Sequence, residues 1–196
     1  MTLPKTLRDH AGIAWPAAGF NDAVLLLIDH QCEYTEGKLR LHGIDSAVEA
    51  IAALLEKARR AGTPIVHVAQ NGKPGSALFD PEGPMSRFIA DIAPGNGETT
   101  IVKSLPNAFA KTELDAKLKA TGRSNLIVTG FMTHMCVSAT TRVATDLGYH
   151  ATVVAGATAT RDLPDGNGGV IDAATIQRVA LAELGDRFAT VVERFG

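Results

Sequence analysis

Three side chains of this sequence belong together in nucleophilic catalysis: Asp29, Lys103 and Cys136. Asp29 follows the apolar run VLLLI, Lys103 follows Thr-Ile-Val, and Cys136 lies six residues past Gly130, near the start of a helix expected after the run NLIVT. A thiol with an ordinary pKa of about 8.5 is a poor nucleophile until it loses its proton. A helix N-terminus carries about half a positive charge and favours the thiolate, and a nearby ammonium lowers the thiol pKa further. A carboxylate can take the thiol proton and later deliver it to a leaving amine. Backbone N–H groups at the start of the same helix are placed to bind a carbonyl oxyanion.

Read singly, each has a plainer use. Asp29 suits a turn cap, Lys103 a solvated lysine at a loop start, and Cys136 a small core hydrophobe. Their coincidence favours chemistry, because sites in open parallel sheets form beyond the carboxyl ends of the strands. Gln31 and Tyr34 are candidate substrate contacts, with a structural hydrogen bond an equal use for Gln31. Phe131 and Thr133, just before the thiol, are further candidates. His134 is a rival base in a Cys–His dyad, and a weaker one, since a residue two before the cysteine points elsewhere on the turn. Cys32 reads as packing. Phe109 and the 70–99 segment shape a pocket or an oligomer contact.

The totals describe one globular domain over 1–196, with 45% hydrophobic and 20% charged residues. A formal net charge of -2 gives no footprint for nucleic acid. No apolar run reaches about 18 residues, so no membrane-spanning helix is expected. The N-terminus lacks the apolar core of a secretory signal, which makes the cytoplasm the default location. Two cysteines in that compartment are expected reduced.

The elements that must position the three residues alternate in type. Strands are expected at Val24–Ile28, Ile65–Ala69, Thr100–Val102, Asn125–Thr129, Ala151–Ala155 and Phe188–Val192. Helices are expected at Asp45–Ala61 with Gly62 as its stop, from an N-cap at Thr112 to Lys119, at Met135–Leu147 and at Val170–Leu184. Residues 1–22 read as an irregular arm and 70–99 as a long functional loop. This order predicts an α/β fold of three layers, a six-stranded, mostly parallel sheet with helices on both faces. The DGNGG stretch at 165–169 lacks both phosphate-loop patterns and reads as a flexible connection.

The segments LLLIDHQCEY, IVKSLPNAF and VTGFMTHMCVSATTRVATDLGY resemble the isochorismatase-like cysteine hydrolases, in order and with similar spacing from about Val24 to the end of the chain. The resemblance implies a six-stranded parallel sheet flanked by helices and a catalytic triad of Asp29, Lys103 and Cys136. It implies thiolate attack on a small amide, ureide or carbamoyl carbonyl, departure of ammonia or an amine, and hydrolysis of the acyl-enzyme. It implies a non-proline cis peptide at Phe131–Met132, aiming the Met132 N–H at the oxyanion beside that of Cys136. It also implies a homo-oligomer, a dimer or tetramer. The family's nicotinamidases hold a metal with an Asp-x-His element, absent here. His42 and His67 are isolated, and His30, His134 and His150 have no ligand spacing, so no metal and no cofactor is expected. The family's true isochorismatases cleave an ether and carry glycine where this chain has Cys136, which favours a C–N bond. Ether hydrolysis and a non-catalytic small-molecule-binding relative are the alternatives.

Overall fold

A computed structural model describes residues 3–195. The first two residues of the expected arm, and the last of the expected 1–196 domain, lie outside that range. The described chain runs α1 (Leu7–His10), β1 (Ala23–Ile28), α2 (Ile44–Ala61), β2 (Ile65–Gln70), β3 (Thr99–Lys103), α3 (Leu114–Ala120), β4 (Asn125–Phe131), α4 (Ser138–Asp146), β5 (His150–Ala159), β6 (Leu163–Pro164), β7 (Val170–Ile171), α5 (Ala173–Arg187) and β8 (Ala189–Val192). Six strands pair in the order β3-β2-β1-β4-β5-β8, every pair parallel. This is the α/β sheet that the alternation of elements predicts.

β1 is buried at every position, which explains its unbroken apolar run. Leu25 and Leu27 face one core with α2, through Ile44, Ala47, Ile51, Leu54, Leu55 and Ala58. Val24, Leu26 and Ile28 face the other core, with Leu114 and Leu118 of α3, Ala144 of α4 and Leu184 of α5. The period of two along a strand thus distributes one apolar run between two layers. α2 stops at Gly62, whose φ of +65° lets its N–H reach back to Ala58 and Arg59 carbonyls.

Several boundaries differ from expectation, for local reasons. The arm contains α1, held by a capping box in which Thr6 and Asp9 satisfy each other's backbone N–H groups. Thr112 is not the cap of α3; its hydroxyl accepts from Leu114 N at 3.2 Å and helix begins after Glu113. α5 begins at Ala173, because Asp172 caps it through Thr175 N. Val170 and Ile171 instead pair with Leu163 and Pro164 in a small hairpin. Its tip is the DGNGG stretch, where Asp165 Oδ1 accepts from Asn167 N at 2.7 Å and Gly169 N at 2.9 Å. That segment is a built turn rather than a loose connection. The 70–99 loop is also built: it makes 3-10 turns at Pro84–Ser86 and Ala90–Ile92, and Phe88 bridges to Gln31.

Candidate active site

The site forms where the sequence places it, beyond the carboxyl ends of β1, β3 and β4. Asp29 is the first residue after β1, with a φ of +52° and its N–H bonded to Val68 O at 2.8 Å. Lys103 is the last residue of β3. Because β2 and β1 lie between β3 and β4, only a long side chain from β3 reaches the thiol. β4 ends beside β1, with Gly130 opposite Ile28. A Cβ at Gly130 would sit 2.0 Å from Ile28 O, and its φ is +110°. Glycine is required there for both reasons. The Phe131–Met132 peptide is cis. A π-helical turn, Thr133–Val137, then leads into α4 and carries Cys136 over the end of β1. The helix expected from Met135 is therefore wider than α-helical in its first turn.

Lys103 Nζ lies 2.6 Å from Asp29 Oδ2 and 3.3 Å from Cys136 Sγ. Asp29 and the lysine side chain are shut off from water, and Cys136 is 5% exposed. The ammonium and the carboxylate are a buried ion pair, in which little solvent weakens the attraction. Burial pushes the Asp29 carboxyl up to about 6, opposed by Lys103 and by a hydrogen bond with Cys136. Burial, then the Asp29 charge, pushes the Cys136 thiol up to about 12 against the pull of Lys103. The expectation of a lowered thiol pKa is thus reversed: desolvation outweighs the cation. The cluster holds one cation, one anion and one proton divided between Asp29 and Cys136, and it titrates as a unit.

The other candidates separate. Tyr34 is buried edge-on to Phe79 and Phe131, and burial first, then the charges of Asp29 and Cys136, raise its hydroxyl; it lies beside the Asp29–Lys103–Cys136 cluster. Gln31 takes its structural alternative. Its amide nitrogen donates to Gln70 O at 2.9 Å and Ser86 O at 2.7 Å, and its oxygen accepts from Gln70 N at 2.8 Å. Thr133 donates to Ala159 O at 3.1 Å. His134 bonds Thr160 through Nδ1, whereas it is Asp29 that Cys136 engages. Cys32 is half-buried with its thiol toward Phe88 O at 3.7 Å, as packing requires.

Two features went unread in the sequence. Arg161, just past the end of β5, lies close enough to Tyr34 and His134 for its charge to act on both, and its Nε is buried without an acceptor. The strand-end rule that finds Asp29 would also have found it. His67 is not isolated. Its Nδ1 meets His30 Nε2 at 2.9 Å, its Nε2 meets Glu98 Oε2 at 2.8 Å, and Glu98 also takes Arg59 Nε at 2.8 Å. These residues come from separate segments, so no spacing announces them. Arg59 first, aided by a backbone bond from Gly95, holds Glu98 at about 2 against its own burial. An ionised Glu98 only accepts, which makes His67 Nε2 the protonated nitrogen and His30 Nε2 the donor between the rings. Among the described residues no three His, Cys, Asp or Glu side chains group as a metal set.

The model of the isochorismatase domain matches residues 23–194. The chain belongs to the isochorismatase family. The crystal structure of an isochorismatase from Pseudomonas putida KT2440 superposes with a TM-score of 0.93 at 45% identity, covering 97% of each chain. The secreted isochorismatase effector Isc1 of Verticillium dahliae is 36% identical over 188 residues, 96% of each protein. Maleamate amidohydrolase of Pseudomonas putida is 30% identical over 172 residues, 79% of this chain and 81% of that enzyme. This isochorismatase-family chain is accordingly a hydrolase, with its strand-end cluster at the position its fold reserves for chemistry.

Proposed function

We propose that this protein is a cysteine amidohydrolase that cleaves the C–N bond of a small amide, ureide or carbamoyl compound. The observation that carries the reading is the single ammonium of Lys103 in contact with both Asp29 Oδ2 and Cys136 Sγ, the lysine and aspartate side chains buried and the thiol almost so. A fixed cation between a carboxylate and a thiol lets the proton pass from sulfur to Asp29 while the negative charge stays paired in either state. The Cys136 sulfur then attacks the carbonyl carbon. Backbone N–H groups of Met132 and Cys136 receive the oxyanion. Asp29 returns its proton to the leaving nitrogen, the C–N bond breaks, and a thioester remains. Water, deprotonated by Asp29, attacks the thioester; the carboxylic acid leaves and the thiol re-forms.

Tyr34 and Phe131 supply an apolar wall to the substrate, and Arg161 supplies a cation. An unpaired guanidinium nitrogen beside Tyr34 favours amides that carry a carboxylate, the class to which maleamate belongs. A homo-oligomer, dimer or tetramer, and a cytoplasmic location complete the proposal; no helix among the described residues is long and apolar enough to cross a membrane.

Ammonia release from a panel of small amides, ureides and carbamoyl compounds, with and without a carboxylate, tests the reading. The expected result is turnover in the wild type that disappears in Cys136→Ala, greatest for the carboxylates, and a raised KM for those alone in Arg161→Met. No release from any member would transfer the site to a binding role.

A further inference from the structure

The register of β2 against β3 sets Gln70 directly opposite Lys103. Side chains at such paired positions lie on the same face of the sheet, close enough to touch. Gln70 Oε1 accepts from Lys103 Nζ at 2.7 Å. The carboxamide cannot turn over, because its Nε2 donates to Asn71 O at 3.2 Å and would otherwise point a donor at an ammonium. The Gln70 backbone is held in turn by both ends of the Gln31 amide. Asn71 N closes the same edge by donating to Lys103 O at 2.8 Å.

Lys103 therefore faces three acceptors: Asp29 Oδ2, Cys136 Sγ and Gln70 Oε1. An ammonium has three N–H donors and no lone pair, so it matches this set; a neutral amine would turn its lone pair on one of them. Two of the acceptors exchange a proton during the proposed reaction. Gln70 alone keeps its charge and place throughout. Without it, the ammonium of a buried site has one donor unpaired and only the full charge of Asp29 to attract it, which draws Nζ away from the sulfur.

We propose that Gln70 is a positioning residue, the third anchor that keeps the Lys103 ammonium between Asp29 and Cys136 while the proton moves from one to the other. Gln31 belongs to the same device, as the clamp that fixes the Gln70 backbone. The inference rests on the amidohydrolase reading, yet it concerns the thiol and needs no substrate to test.

The measurement is the rate of Cys136 alkylation by iodoacetamide, followed by peptide mass spectrometry so that Cys32 is scored separately, in the full chain from about pH 5 to 10. Gln70→Met has nearly the same length and no acceptor; Gln70→Glu keeps an acceptor but adds a rival anion for the ammonium. Both are expected to lower the Cys136 rate at neutral pH about tenfold, Gln70→Met by the loss of one charged hydrogen bond and Gln70→Glu by drawing the ammonium toward the added anion, and to leave Cys32 unchanged. On a substrate found by ammonia release, kcat falls similarly and KM stays. Should Gln70→Met not fold, the isosteric Gln70→Glu carries the same readout alone. Either folded variant alkylating within twofold of wild type overturns the proposal, and so does a raised KM with unaltered alkylation, which would make Gln70 a substrate contact. A wild-type Cys136 no faster than a free thiol counts instead against the amidohydrolase reading.

Discussion

Lys103 and Asp29 form an ion pair at 2.6 Å with both side chains fully out of water. Such a pair gives little net stability, because desolvation offsets its attraction, but breaking it strands a buried charge. Lys103→Met should therefore destabilise the fold by about 3–5 kcal/mol, whereas Lys103→Met with Asp29→Asn should recover much of that loss. Both variants should be inactive. Urea melts separate stability from activity: equal stability of the single and double variants would show that the pair carries no buried charge.

Burial pushes the Asp29 carboxyl up to about 6, and in the proposed reaction it must be ionised to accept the thiol proton. Activity should therefore fall as pH drops through about 6, roughly tenfold per unit below it, and stay level on the alkaline side, where the cluster still holds its shared proton. A kcat/KM profile reads this directly. A rising limb near the ordinary pKa of a free thiol would place the ionisation on Cys136 alone.

Burial holds His30 and His67 below the ordinary histidine value of 6.5. Both stay neutral in the fold and bind protons once unfolded, so stability should fall as pH decreases below 6.5. Glu98 works in a lower window: held at about 2 against an ordinary 4.5, its contribution is complete above 4.5 and is lost as pH falls toward 2. Glu98→Gln should cost about 1–3 kcal/mol at neutral pH, with the gap to wild type closing in that acid window. Denaturant melts across pH for wild type, Glu98→Gln and His67→Gln measure both; because the raised Asp29 carboxyl stabilises the fold as pH falls through 6, the histidine part is read from the difference, and a His67→Gln profile parallel to wild type from 7 to 5 contradicts it.

Gly130→Ala should fail. The added methyl would lie 2.0 Å from Ile28 O at a φ of +110°, against backbone that cannot yield. A loss of more than about 3 kcal/mol is expected from the clash and the strained backbone together. Circular dichroism and a thermal melt settle it; a variant folded within about 1 kcal/mol of wild type would show that the β1–β4 edge can open.

The convergence of Asp29, Lys103 and Cys136 was legible because each lies at or just beyond the carboxyl end of a strand, and strand ends in a parallel sheet meet along one edge. Arg161 obeys the same rule. Gln70, Glu98, His30 and His67 were not legible as partners. Their meaning depends on which strand neighbours which, and on register, and neither is encoded within any one segment. The start of α5 was misplaced because Val170 and Ile171 carry the apolar character of a helix face but are held in a hairpin by Asp165 and the glycines around it.

By itself the sequence determined the layering and the chemistry on offer. Unbroken apolar runs such as VLLLI suit strands buried on both faces, and an acid, a cation and a thiol lie at or beyond strand ends. Tertiary structure decided how those groups behave. Exclusion of water reversed the expected shift of Cys136 and raised Asp29, and the pairing of β2 with β3 gave Lys103 its third acceptor. Burial and register arise only when distant segments meet, because desolvation and hydrogen-bond partnership are properties of the assembled site and of no single stretch of chain.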